Sequence, residues 1–189
     1  MIIEHSLHKL VDAFQNGSNN SGEVIYSRNE VSIHPITPPL NGEILYFYRH
    51  LILRDIPIVG GTCYLIFIES NKLLIALEGW RIPCDTNDWS DNYIIFAERN
   101  GDVLFCDLQD INSPVYSSIQ KRNRKIADSM GTFLNVYSTI IELESTIFNY
   151  NTMDDDFNII PDFISAVRNE LDKKLTGEQK ENFIHFFFG

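Results

Sequence analysis

The chain has 189 residues, 44% hydrophobic, 12% aromatic and 22% charged, with 26 acidic residues against 15 basic ones and a formal net charge of −11. That length suits one domain burying roughly 70% of its unfolded surface, and the composition excludes a disordered or collagen-like chain. The acidic balance argues against nucleic-acid binding, which needs a basic face to neutralise phosphates, and is compatible with a basic protein partner.

In chain order, Ile3, Leu7, Leu10, Val11 and Phe14 recur at the spacing of one helical face and predict a helix over 3–14. NGSNNSG (16–22) ends it. VIYSRNEVSIHPITPP then offers two short β-like pieces broken by prolines, and a second helix is predicted from Pro39 or Leu40 through ILYFYRHL. From Leu51 the texture is β: LILRDIPIV, a Gly60-Gly61 turn, then TCYLIFIES with alternating side chains. Periodicity does not decide between helix and strand for LLIALEGWRI.

NYIIFAERNGDVLFCDLQD (92–110) carries Asn100-Gly101 between two apolar runs, the strongest short-range hairpin signal because both turn residues must tolerate positive φ. Turning there opposes Phe96 to Phe105, Ala97 to Leu104, Glu98 to Val103 and Arg99 to Asp102. Both faces are then apolar, one holding Ile94, Phe96, Phe105 and Val103, the other Ile95, Ala97, Leu104 and Cys106. Such strands belong in the middle of a covered sheet. SPVYSS is a short strand, and apolar residues from Ile126 to Phe148 predict a long helix beginning at Lys125. After the loop NTMDDDFNII comes a helix from Pro161, with Phe163, Val167, Leu171 and Leu175 every fourth residue. Thr176 to Gln179 matches a capping box opening a last helix, whose Phe183, Phe186, Phe187 and Phe188 should dock on the body.

No apolar run approaches the ~20 residues that span a bilayer, and MIIEHSLHKL is punctuated by charge, unlike a signal peptide. Cys63, Cys84 and Cys106 form no CxxC pair and fit buried thiols in a reducing compartment, so a cytoplasmic protein is expected. No nucleotide-binding loop is present, since Gly60-Gly61 lacks the GxGxxG or GxxxxGK[ST] context. His5 and His8 lack third and fourth ligands for zinc, and Asp154 to Asp156 lack the glycine and closing glutamate of a calcium loop. No cofactor and no metal is expected. KRNRK (121–125) reads as a charged loop before a helix.

The acid is not evenly spread. Asp85, Asp88, Asp91, Glu98, Asp102, Asp107 and Asp110 lie within 26 residues that hold a single base, Arg99. Clustered carboxylates suit a metal-dependent hydrolase in principle, but they form no spaced motif. The reading with more behind it is a negatively charged recognition rim on a β scaffold, with Asp85, Asp88, Asp91, Glu98, Asp102 and Asp110 as partner-facing residues. Asp107, ending a strand, is assigned instead to local backbone hydrogen bonds.

Gly79-Trp80, Trp89, NYIIFAERNGDVLFCDL, SPVY at 113–116 and IADSMGTFLNVY at 126–137 together resemble the SUKH superfamily, in the branch named after the yeast cell-wall assembly regulator. The likeness is closest over 79–137 and looser over 40–150. Where relatives carry a Gly-rich, Trp-containing segment after Pro-Val-Tyr, this chain has SSIQKRNRK, and Met130 stands where an aromatic is usual. The resemblance implies an α+β fold, a central mostly antiparallel sheet flanked by N- and C-terminal helices. It implies a single domain over 1–189, with its core at 40–150 and a helical extension at 151–189. Trp80, Trp89, Phe96, Phe105, Val115 and Phe133 are its expected core. It further implies a non-enzymatic immunity protein that binds and neutralises a cognate protein toxin, a basic nuclease being the kind an acidic rim would complement. The alternative is an adaptor or regulatory scaffold that binds a protein partner without any toxin.

Overall fold

Strands joined by short turns pair most simply as an antiparallel meander. The computed structural model, which describes residues 2–82 and 89–189, holds such a sheet. Among those residues seven strands pair in chain order, each antiparallel to the next: β1 (Ser21–Tyr26), β2 (Leu51–Val59), β3 (Leu65–Phe67), β4 (Tyr93–Arg99), β5 (Asp102–Asp107), β6 (Val115–Ile119) and β7 (Arg122–Ala127). Helix α1 (Ile2–Asn16) precedes the sheet, α2 (Gly42–His50) lies between β1 and β2, and the short α3 (Leu73–Ala76) follows β3. After β7 come α4 (Met130–Thr146), α5 (Pro161–Leu171) and α6 (Gly177–Phe188). This is the α+β class expected, with terminal helices flanking an antiparallel sheet. No described helix is long and apolar enough to cross a membrane.

The Asn100-Gly101 turn forms as predicted, with φ of 53° and 84°, and next to it Arg99 pairs with Asp102, Glu98 with Val103 and Ala97 with Leu104. Beyond that the register shifts. A bulge between Ile95 and Ala97 makes Ile95, not Phe96, the partner of Phe105, and Ile94 the partner of Cys106. The expected faces are corrected accordingly. Ile94, Ala97, Leu104 and Cys106 share the helix-covered face, where the extra residue Phe96 packs on Phe47 of α2, Phe67 of β3 and Phe133 of α4. Ile95, Val103 and Phe105 point the other way. A bulge places two consecutive side chains on one side, which here seats Phe96 among three elements instead of opposite Phe105.

On the helical face, α1 lies along α4 where Gly131 admits it: a Cβ there would meet the backbone of Ile3 at 3.2 Å, and Ser6 Oγ donates to the Gly131 carbonyl at 2.8 Å. Tyr137 of α4 stacks on Phe133 and Phe187, and its hydroxyl donates to the Val59 carbonyl. The Phe-rich last helix does dock: Phe183, Phe186 and Phe187 are buried in the common core and Asn182 donates to the Lys125 carbonyl. Its capping box is present in full, Thr176 and Gln179 each satisfying the other's backbone N–H.

Residues 122–127 are a strand, not the start of the long helix. The β6–β7 turn uses Gln120 and Lys121 at φ of 50° and 63°, positions where asparagine and glycine are usual. The helix begins only at Met130, behind Ser129, whose side chain accepts from the Thr132 N–H. β7 is an edge strand, and Arg122, Arg124 and Lys125 give it the charge that discourages edge pairing with another chain. Because Gln120 is exposed and held in the left-handed region, Gln120→Asn should raise stability by about 0.5–1 kcal/mol and Gln120→Val lower it by about 1 kcal/mol. Denaturant midpoints at constant m-value check both.

Other local expectations shift less. The second helix starts at Gly42 rather than at Pro39 or Leu40, the second β-like piece before it forms no strand, and TCYLIFIES is strand only at Leu65–Phe67. Glu43, at the start of α2, accepts from the Gly131 N–H at 2.7 Å. Burial pushes its carboxyl up, against the opposing pull of that N–H and of Ser129. A raised folded pKa means the folded state holds the proton more tightly, so stability falls as pH climbs from the unfolded value through the folded one. Melts of wild type against Glu43→Gln from about pH 4 to about pH 7 should show wild type losing ground with rising pH.

Candidate functional site

The face of the sheet away from the long helices carries a row of rings. Trp80 and Trp89 lie 5.0 Å apart, Trp89 meets Phe105 at 4.9 Å and Tyr93 at 5.6 Å, and Phe105 stacks on Tyr116 at 5.3 Å and 13°. Strand pairing produces the row: Tyr116 faces Phe105 across β5–β6, and Tyr93 opens β4 opposite Asp107. Phe105, Phe96, Val115 and Phe133 are fully buried as expected, whereas Trp80, Trp89, Tyr93 and Tyr116 remain half-exposed. The tryptophans therefore pack against the core at its edge and keep part of their surface in solvent. Tyr and Trp in this state offer large, stiff, amphipathic contact area, which is why they dominate protein-binding surfaces.

Carboxylates fringe the row at one end. Asp107, Asp110 and Asp128 all act on Tyr116, whose phenol is pushed up first by burial; Lys125 opposes, and the three carboxylates add to the rise. Lys125 pairs with Asp128 at 2.5 Å and, together with Gln179, holds that carboxyl below its usual range. Asp107 Oδ1 accepts from the Gln109 N–H at 2.9 Å, the local role assigned to it, and Asp110 Oδ1 accepts likewise from Asn112. Asp91, exposed just before β4, has Arg81 beside it: Nη2 donates to the Asp91 carbonyl at 2.6 Å, while Nε lies 3.4 Å from Oδ1 without hydrogen-bond alignment.

Of the six expected partner residues, then, Asp91 and Asp110 lie at the ring-row end of the hairpin. Glu98 and Asp102 lie at its turn, about 17 Å away along β5 by strand rise. They also diverge in direction, because Glu98 shares a face with Ile66 and Val103 while Asp102 shares the opposite one with Arg99. Strand alternation, not charge, decides this. Asp85 and Asp88, with Cys84, fall outside the described residues. Asp128, Tyr93 and Tyr116 join the site unannounced. Ser129 as a helix N-cap was the available signal for Asp128, since it places the preceding residue outside the helix.

Elsewhere the chemistry is structural. Cys63 and Cys106 are buried free thiols whose pKa burial drives up, which makes them inert. His8 lies tilted against Tyr26 with ring centroids 3.9 Å apart, and Asp154 caps its own loop by accepting from the Asp156 and Asn158 N–H groups. Among the described residues no three His, Cys, Asp or Glu side chains converge as a metal site.

The fold and surface define an α+β protein whose sheet presents aromatic side chains with a carboxylate fringe. No protein-family model matches the chain, and neither a curated protein nor a solved structure matches it.

Proposed function

We propose that the chain is a non-enzymatic binding protein of the SUKH type that neutralises a basic protein toxin in the cytoplasm, and that the toxin docks on the Trp80–Tyr116 row. The half-exposed aromatic row with Asp91, Asp107, Asp110 and Asp128 at its edge carries this reading. Rings supply the desolvated anchors, and the carboxylates steer a positively charged partner and, in the cleft of a nuclease toxin, take the places of its substrate's phosphates. The order of short motifs across 79–137 supports the family assignment.

Inspection of the neighbouring genes for a candidate toxin, followed by co-expression, tests the reading through rescue of growth and recovery of a stable complex; no adjacent toxin would favour the adaptor alternative. On the surface itself, Asp110→Lys should slow association by about tenfold at low salt and flatten its salt dependence. The matched reversal Asp12→Lys, exposed on α1, should stay near wild type. Equal rates for the two variants at low salt would remove the ring row from the interface.

A further inference from the structure

Glu144, on α4, is only 2% exposed, and no Lys, Arg or His lies within ion-pair distance of it among the described residues. Buried carboxylates are ordinarily paired with a cation, so this one is an exception. What holds it is backbone: Oε1 accepts from the Thr62 N–H at 2.6 Å and Oε2 from the Gly61 N–H at 3.1 Å. Each oxygen keeps a second lone pair. Arg99 stands beyond the same loop, with its guanidinium committed to the carbonyls of Thr62, Tyr64 and Phe187.

Glu144 is among the residues lining a pocket of about 470 Å³. Its lining includes no basic residue; besides Glu144 it holds Asp154, the Thr62 and Thr152 hydroxyls in mutual hydrogen bond at 2.5 Å, and Phe157. Phe157, also in the lining, is 85% exposed at φ of 62°, an unusual conformation for a bulky side chain, and so offers aromatic surface not taken up by the core. Buried carboxylate, further acceptors and an aromatic face together describe a receptor for a planar cation.

We infer that the pocket over Glu144 receives a guanidinium group, with Glu144 accepting its N–H donors and Phe157 covering its face. The inference rests on the proposed basic partner only for the source of that group, an arginine side chain of the partner; a free guanidinium metabolite is the other source of the same chemistry.

The test is amide NMR of the isolated protein titrated with N-methylguanidinium and, separately, with its uncharged counterpart N-methylurea. The cation should shift Gly61, Thr62 and Thr152 saturably with a Kd of roughly 1–10 mM, and the urea should bind about tenfold more weakly or not at all. Phe157→Ala, at an exposed position, should weaken the cation severalfold without changing the fold. Equal binding of the two probes, or no saturable shift, overturns the inference. If N-methylguanidinium also competes with the partner for the protein, the source is the partner's arginine; if it binds without competing, the source is a free guanidinium. Failure of the probe while Asp110→Lys still slows partner association would sink this pocket and leave the proposed function standing.

Discussion

Phe96→Ala is expected to cost about 3–5 kcal/mol of stability, which at this chain length lowers the melting temperature by roughly 10 °C or more. The side chain is fully buried, and its ring centroid lies 6.3 Å from Phe47, 6.4 Å from Phe67 and 5.8 Å from Phe133. Truncation leaves a cavity whose walls belong to a strand and two helices, and walls anchored in three elements cannot collapse together. The bulge gives this prediction a second readout. An in-phase hairpin would set Phe96 opposite Phe105, whose ring lies 4.9 Å from Trp89, so truncation would disturb tryptophan emission. With the observed register, Phe96→Ala leaves Trp80 and Trp89 emission unchanged in the folded state while Phe105→Ala alters it. A loss under about 1 kcal/mol, or a shifted emission maximum, would contradict the bulged pairing.

The hairpin shows where sequence reasoning works and where it ends. Asn100-Gly101 fixes its own turn through local sterics, so the three pairs beside it are legible from two residues. The bulge at Phe96 is set by ring packing against α2 and α4, which no window of β4 contains. β7 was hidden for a related reason. Its charges belong to an unpaired edge, which erases the alternation that marks a half-buried strand, and Ile126 falls by coincidence on the helical period of α4. Local signals with a fixed geometry, the N-cap at Ser129 and the capping box at Thr176, hold where periodicity fails.

The candidate site divides along the same line. Acid density near the hairpin was plain in the sequence, but the direction of each carboxylate depends on strand parity and on the turn it caps. Glu98 and Asp102 are only four residues apart and yet lie on opposite faces, because their cross-strand partners are Val103 and Arg99. The tryptophans posed the opposite problem. Trp80 and Trp89 read as core by hydrophobicity, but a tryptophan is seldom fully buried, and here both pack against the core while staying partly exposed.

Glu144→Ala should cost about 2–4 kcal/mol, nearly as much as a lost core ring, though almost no hydrophobic area changes. The Thr62 N–H is buried and loses the one acceptor it has among the described residues, a desolvation penalty of about 1–3 kcal/mol, while the more exposed Gly61 N–H regains water and costs less. The loop between β2 and β3 is gripped from two sides, by Glu144 on its N–H groups and by Arg99 on its carbonyls, with the guanidinium also 5.0 Å from the Tyr64 ring centroid and 5.6 Å from that of Phe187. Removing one grip weakens the other, so Glu144→Ala and Arg99→Ala should be non-additive in a double-mutant cycle. Unlike Phe96→Ala, the damage starts locally: hydrogen exchange at Gly61 and Thr62 should quicken far more than in the central strands β4 and β5. Unchanged exchange at those two amides would show that the carboxylate contributes nothing to the loop, and with it would go the reason a charge is held there without a cation.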